Sequence, residues 1–399
     1  MHLTFHWSGT LRRSRLRTVS SGDEQAESRR TWKRFPYGDR IYRYGGTALQ
    51  SNWSRLHRGD REPYPSVDSL DALLRANPAL APSVPSAEVL VPILEDAWRA
   101  YHAGDFADAV DRGLAAGPVG LVVSARAAAV YASHLEEDET RRIAILRGVV
   151  ESCSALVQLA PNWANAWYVY GLALGRFSQN ISVVRALSQG LGSKVRDSLQ
   201  RAVELEPSHA DAHVGLGVYH AEVIDKVGAL MAAITYGARR TAVTEHFETA
   251  RQLHPQSPVV LAEYARSTVL AFGNLHQGRA HQIFGEAAAC QPADALERLD
   301  GLFGRNGLAV FLEAFAGSSL CRRRGVRAIG ANPRSNQAAK ARHAGADHDD
   351  VSCGRQLLIG RNRVNRGGHS PFSFSYRPGR RSMRCTGPTT GSSKRSVAE

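Results

Sequence analysis

Apolar side chains recur at steps of three and four residues from Ser86 to Asp300, and Pro, Gly, Asn and Asp mark the breaks between these stretches. The spacing predicts one helix after another, because positions three and four apart share one face of a helix. Ala, Leu, Glu and Arg, which favour helices, dominate the same region. Alternation of period two is never sustained. The pattern therefore predicts an all-α fold.

Within this region, three stretches match one another feature by feature: LVQLAPNWANAWYVYGLAL, AVELEPSHADAHVGLGVYH and ARQLHPQSPVVLAEYARST. Each contains the end of a helix, a proline, a short polar turn and the start of the next helix. The prolines are Pro161, Pro207 and Pro255, and a weaker fourth copy ends at Pro292. Proline stops a helix because it lacks an N–H and clashes with the preceding turn. The region is thus predicted to be an internal repeat.

These copies resemble the tetratricopeptide repeat, in which a helix A and a helix B carry small residues at set positions. Gly171 and Gly217 occupy the small position of helix A, while Phe247 and Ala250 occupy the aromatic and small positions of helix B. Small residues there let the two helices of a pair, and successive pairs, approach closely. The resemblance covers roughly residues 85–300. It implies a tetratricopeptide-like α-solenoid of stacked antiparallel helix pairs.

The spacing of the repeats is longer than in that family. A tetratricopeptide unit has about 34 residues, whereas the first two proline intervals here are 46 and 48 residues. The additional residues lie between helices A and B and include SQNISVVRALSQG and DKVGALMAAITYGARR. Both inserts are apolar enough to pack. Units with such long inserts are similar to the repeat domain of the regulator of microtubule dynamics family, including its bacterial relatives.

A solenoid of this kind implies a concave face lined by helix-A side chains, on which a protein or peptide partner docks. Tyr168 and Leu172 would provide the apolar contact, and polar neighbours would select the partner. An alternative stays open at this point, in which the two inserts fill the groove. The residues assigned to the concave face are Asn165, Tyr168, Leu172, Arg176, Asp211, Val214, Val218 and Glu222.

Charge divides the chain into three segments. The whole chain carries a net charge of +13, which suggests a nucleic-acid partner when taken alone. Residues 1–84 contain 14 basic and 8 acidic residues, residues 85–300 contain 18 and 24, and residues 301–399 contain 18 and 5. The helical region is therefore acidic, and a nucleic-acid partner is not expected for the folded domain.

The two basic flanks are predicted to lack a regular fold, because their apolar residues follow no period. Residues 1–84 read as a disordered basic segment and residues 301–399 as an Arg-, Gly- and Ser-rich tail. Two alternatives stay open, namely nucleic-acid-binding arms and translation out of frame. Residues 325–351 resemble a short piece of the nucleotide domain of quinone oxidoreductases. No Gly-x-Gly-x-x-Gly precedes them, so the resemblance implies a degenerate fragment.

Candidate chemical motifs each have a structural interpretation. His209 and His213 are four residues apart, as in some zinc sites, but His209 falls in a turn and His213 takes a packing position. The acidic run from Glu136 to Glu139 is typical of a helix N-terminus. Serine-hydrolase, Walker and His-Glu-x-x-His motifs are absent from the sequence. Together these features predict a non-catalytic protein with no cofactor and no metal.

The remaining features concern the compartment. The five cysteines are widely spaced, odd in number and form no Cys-x-x-Cys pair, which favours free thiols in a reducing compartment. The first ten residues lack the apolar run of a signal peptide, and no stretch of 18 apolar residues occurs. We therefore expect a cytoplasmic protein without a membrane span, of bacterial type.

Overall fold

A computed structural model of the chain describes residue 29, residues 31–39 and residues 41–300. The described part contains helices and turns but no strand. Its α-helices are α1 Ala48–Leu56, α2 Val67–Ala76, α3 Ala87–Ala103, α4 Phe106–Ala115, α5 Leu121–His134, α6 Glu139–Leu159, α7 Ala164–Gln179, α8 Val183–Ser188, α9 Leu191–Leu205, α10 Ala210–Val227, α11 Ala229–Tyr236, α12 Arg240–Leu253, α13 Pro258–Phe272 and α14 Gln277–Ala289. Residues 295–300 are also helical.

The helices stack as antiparallel pairs, which confirms the predicted all-α solenoid. The pairs are α3 with α4, α5 with α6, α7 with α9, α10 with α12, and α13 with α14. The first helix of each pair also contacts the first helix of the next pair. These first helices therefore lie side by side along one face, as the helices A of a tetratricopeptide-like solenoid do.

Local chemistry explains where the helices begin and end. Helices α6, α9 and α12 each end two residues before a proline of the predicted repeat. The side chain of Asp138 accepts a hydrogen bond from the backbone N–H of Arg141 at 2.8 Å and so caps α6. This contact agrees with the helix-start interpretation of the acidic run. Ser257 caps α13 in the same way, and Pro258 follows at its first position.

Glycines in the helices A allow the close approach that the sequence predicts. A methyl group added at Gly217 would lie 2.6 Å from the ring of Phe247 on α12, and one at Gly171 would lie 2.8 Å from Leu199 on α9. No side chain fits in either space. The small helix-B residues Ala202 and Ala250 are fully buried, as required at the next interface.

The two inserts form the short helices α8 and α11. Each lies between helix A and helix B of its unit, after α7 and α10 respectively. They do not fill the interior. Val184 on α8 is 77% exposed, and Leu230 and Ile234 on α11 are 74% and 73% exposed.

The N-terminal region differs from its prediction. Residues 1–84 were expected to be disordered, yet within them α1 and α2 are formed, and Leu49, Trp53 and Leu70 are buried in the core. The physical reason is tertiary packing, because these side chains are buried against other parts of the domain without any repeat of their own. The proposed domain boundaries at residues 84 and 300 stay a prediction.

We call residues 41–66 the N-terminal strap, because they cross the face formed by the helices A. Trp53 packs edge-on against Trp98 of α3, and the carbonyl of Gly59 accepts a hydrogen bond from the N–H of Asp211 on α10 at 3.0 Å. At the far end, the Tyr44 hydroxyl donates to the carbonyl of Ala293 at 2.6 Å. Before the strap, Asp39 forms an ion pair with Arg298. The N-terminal region thus contacts the first helix pair, α10 and the last described helix.

Candidate functional site: a cavity on the concave face

A cavity of about 1190 Å³ opens on the face formed by the helices A. Its walls come from α7, α10 and α13, from both insert helices, and from residues 293–297. The strap contributes Leu56 and Gly59. We call this space the central cavity. It exceeds the roughly 300–1,000 Å³ of common small-molecule pockets, so it has room for several side chains at once.

Seven of the eight predicted concave-face residues line the central cavity. Tyr168 and Val214 are almost fully buried in its wall, and the others are half-buried. Their role in binding a partner stays a prediction. The seven residues are Tyr168, Leu172, Arg176, Asp211, Val214, Val218 and Glu222.

The eighth, Asn165, lies outside the central cavity and is buried. Its amide donates to the Asp60 carbonyl at 3.1 Å and to the Glu62 carboxylate. Its Oδ1 accepts from Nε2 of His209 at 2.9 Å, while Nδ1 of His209 accepts from the N–H of Ala212. Asn165 therefore fastens the strap to α7 and α10. The sequence could not show this, because the strap partners lie about a hundred residues earlier.

Arg126 of α5 is the central charge beneath the cavity, and the sequence patterns did not single it out. Its guanidinium pairs with the Asp60 carboxylate and lies 3.4 Å from the carboxylate of Asp211. It also lies over the rings of Tyr101 and Tyr168 at 5.6 and 5.5 Å from their centroids. The available signal was its position as the sole charged residue in the apolar run LVVSARAAAVYAS.

Two histidines join the strap to Asp294, which immediately precedes the last described helix. Nδ1 of His57 lies 3.0 Å from Asp60, Nε2 of His57 lies 3.2 Å from Nε2 of His102, and Nδ1 of His102 lies 2.8 Å from Asp294. All four side chains are buried. Burial is the largest influence on the pKa of His57 and lowers it. This row of groups ends at the cavity wall, since Asp294 lines the central cavity.

Three carboxyl groups form what we call the acidic floor of the central cavity: Asp211, Asp294 and Glu297. Burial raises the pKa of Glu297 to about 8, and the charge of Asp294 adds to the increase. Burial likewise raises the pKa of Asp211 to about 6 despite the opposing effect of Arg126. The floor therefore has more acid than cationic neighbours can stabilise.

In a second charged network on the cavity wall, each carboxylate has cationic partners. Glu222 of α10 binds Lys226 at 2.8 Å and Arg266 of α13 at 3.1 Å. Arg266 also binds Glu263, which lies 3.8 Å from Arg176 of α7. Although burial opposes it, the charges of Lys226 and Arg266 lower the pKa of Glu222 to about 2. This network joins three consecutive helices A.

The two inserts contribute part of the apolar lining of the cavity. Val183 and Leu187 of α8 line it and are partly exposed, and Tyr236 of α11 lines it as well. The alternative in which the inserts fill the groove does not agree with this arrangement, because the inserts border an open space. Further apolar side chains on these two helices are exposed: Val184, Leu230, Met231 and Ile234.

The candidate metal ligands His209 and His213 contact other side chains of the protein. Nδ1 of His213 lies 3.1 Å from Nδ1 of His246, so His213 and His209 face different neighbours. Among the described residues, no group of three or more ligand side chains is placed to hold a metal ion. No helix in the described ranges is both long and apolar enough to cross a bilayer. The tail and the fragment at residues 325–351 lie outside the described residues.

Comparison with solved structures gives a likeness to a bacterial repeat protein. A thermophilic TPR protein of Thermus thermophilus is similar, with a TM-score of 0.40 and 16% sequence identity, over 54% of this chain and 98% of that chain. No protein-family model matches the chain. No curated protein matches it at a significant level. The tetratricopeptide-like assignment of this chain therefore rests on its own helix pairs.

Proposed function

We propose that the protein is a non-catalytic scaffold that binds a segment of another protein in the central cavity. The observation that carries this proposal is the convergence of seven predicted concave-face side chains on one open space of about 1190 Å³. Solenoids create such faces because each repeat contributes an equivalent helix to the same side.

The chemistry of the walls suits a peptide segment. Polar groups such as Arg176 and Gln179 can pair with a bound backbone or with side chains, and Leu172, Val218 and Leu187 offer apolar contact. Apolar anchors in a pocket with a polar surround are what protein interfaces use to obtain affinity and selectivity. The exposed apolar residues of α8 and α11 extend this surface beyond the cavity.

The proposal also includes a family relationship and a cellular location. Long inserts after the helices A are the basis for relating it to the regulator of microtubule dynamics family and its bacterial members. We further propose a reducing, cytoplasmic location, which the free thiols of Cys153 and Cys290 support.

Selection from a random peptide library on the immobilised full-length chain tests the binding site. We expect the selected peptides to lose about tenfold or more in affinity, an amount typical of an interface anchor, when Leu187→Asp places a charge on the apolar wall. Val218→Asp on α10 provides a second, independent substitution in the same cavity. Affinities are measured by fluorescence anisotropy after circular dichroism has shown that each variant is folded.

Leu114→Asp is the matched control. Leu114 on α4 is 42% exposed, close to the 45% of Leu187, and it does not line the central cavity. Its substitution should leave peptide affinity unchanged. Peptides that bind the Leu187→Asp and Val218→Asp variants as tightly as the original protein would rule out the central cavity as the binding site.

A further inference from the structure

Building on the proposed function, we infer the chemistry of the partner: an amphipathic helical segment that places a lysine or arginine side chain on the acidic floor while its apolar face covers α8 and α11. The cavity, its charge distribution and the uncovered insert helices each contribute to this inference.

The three carboxyl groups of the acidic floor share one guanidinium, that of Arg126, and one imidazole, that of His102, as close basic partners. Glu297 accepts a hydrogen bond from the N–H of Ala293 at 2.6 Å, and in the described part of the chain no ion pair reaches its carboxylate. Asp211 shares the guanidinium of Arg126 with Asp60. A cationic group entering the cavity would therefore find carboxylate oxygens that are incompletely stabilised.

The other side chains around the floor do not supply this cation. Arg55 of α1 lies close enough to lower the pKa of Glu297 somewhat, but it forms no ion pair with it within the described ranges. His102 is directed to Asp294. His254, after α12, has a pKa lowered to about 4 by burial and is therefore neutral near pH 7. An incoming ammonium or guanidinium therefore meets Arg126 and Arg55 as the positive charges named beside the floor.

The apolar part of the surface favours a helix over a small cation. Val184, Leu187, Leu230, Met231 and Ile234 are exposed on two helices at equivalent positions of successive repeats. A free polyamine would leave this surface in water. An amphipathic helix buries it through side chains at steps of three and four residues, and an acidic segment would be repelled by the floor.

Proton release gives this partner a characteristic dependence on pH. The bound cation favours the ionised form of Glu297 and Asp211, whose pKa values of about 8 and about 6 are raised by burial. Binding must then expel protons that these groups hold at lower pH. We expect the affinity for the basic segment to rise several-fold between pH 6 and pH 8.5.

The peptides selected on the full-length chain provide the probe. We expect Lys or Arg to be enriched at one position flanked by apolar residues at helical spacing. For the tightest peptide, replacing that residue with Gln should weaken binding about tenfold, an effect of about 1.4 kcal/mol. Glu297→Gln should weaken binding of the basic peptide but not of its Gln version, so the two changes are coupled. Glu245→Gln, an exposed acid on α12, is the matched control.

The outcomes separate the two proposals. Peptides that lose affinity with Leu187→Asp but contain no enriched basic residue, or show no coupling to Glu297, would overturn the cationic partner and leave the binding site intact. If the affinity of the selected peptides is unchanged by Leu187→Asp, both the proposed binding site and this inference are wrong. A full-length chain that selects no peptide, while the same chain shortened after residue 300 does, would assign the cavity to the protein's own tail and also overturn the inference.

Discussion

His57 and His102 meet through their Nε2 atoms at 3.2 Å, and each directs its Nδ1 to a carboxylate. Burial lowers the pKa of His57 and so favours its neutral form, in which one ring nitrogen donates a hydrogen bond and the other accepts one. The strap is thus held by a buried chain of four ionisable groups.

Breaking this chain should destabilise the fold. His102→Ala leaves Asp294 and His57 buried without their partner, and we expect a loss of about 3 kcal/mol in the free energy of unfolding. Urea denaturation followed by circular dichroism measures it. His276→Ala, which removes an exposed histidine, should change the same quantity by less than about 0.5 kcal/mol. Equal effects of the two substitutions would contradict a structural role for the pair.

The contact of α10 with α12 should require glycine at position 217, because it leaves no space for a side chain. Gly217→Ala places a methyl group 2.6 Å from the Phe247 ring, and the helices must separate. We expect destabilisation by about 2 kcal/mol. Gly148→Ala in α6 meets no atom within 4 Å, so it should stabilise by about 0.5–1 kcal/mol through helix propensity. Thermal melting measures both variants, and the melting temperature should fall for Gly217→Ala and rise for Gly148→Ala.

The strap should contribute to the core as a folded element. Trp53 is buried, stacks on His57 at 3.9 Å between ring centroids and donates from its indole to the carbonyl of Glu62 at 2.7 Å. Trp53→Ala should therefore cost about 3–5 kcal/mol. Ile41→Ala, at a 62% exposed position, is the control and should have little effect. A strap that merely lies on the surface would give two similar, small changes in the urea midpoint.

Stability at alkaline pH should depend on Glu297. Its pKa is about 8 in the folded protein and near 4.5 ordinarily, so the folded state holds the proton more tightly. Stability contributed by this group is therefore lost as pH rises from about 4.5 to about 8. Glu297→Gln removes the loss, and the variant should be more stable than the original protein at pH 8.5, by up to about 5 kcal/mol.

The pH profile of melting temperature provides the measurement. The two proteins should melt alike near pH 5 and diverge steadily above it. Glu245→Gln should follow the original protein at every pH, because Glu245 lies exposed on α12. Parallel profiles of Glu297→Gln and the original protein would show that Glu297 ionises freely in the folded state.

Local patterns predicted the part of the fold that local interactions determine. The prolines that follow α6, α9 and α12, and the glycine at position 217, act through neighbouring turns and facing helices, so their spacing was sufficient. Most of the concave-face assignment followed from the same periodicity, because equivalent helix positions share a face.

Long-range contacts explain what the sequence did not reveal. Asn165 was assigned to the open face, but Asp60 and Glu62 from the strap bury it. Trp53 belongs to no repeat, and its burial depends on Trp98 and the other parts of the domain that it meets. Arg126 was not singled out by the sequence patterns, because its partner Asp60 lies 66 residues earlier. None of these partners is close in sequence, so the periodicity of the sequence could not predict the contacts.

The contacts of the N-terminal region also set an order of events during synthesis on the ribosome. Stacked helix pairs need only their neighbours and can form as they emerge. Tyr44, however, finds its carbonyl acceptor 249 positions later, and Asp39 finds Arg298 259 positions later. The N-terminal region leaves the exit tunnel first and is thus the last to complete its contacts. Its aromatic side chains stay incompletely buried until the final described helix has been synthesised.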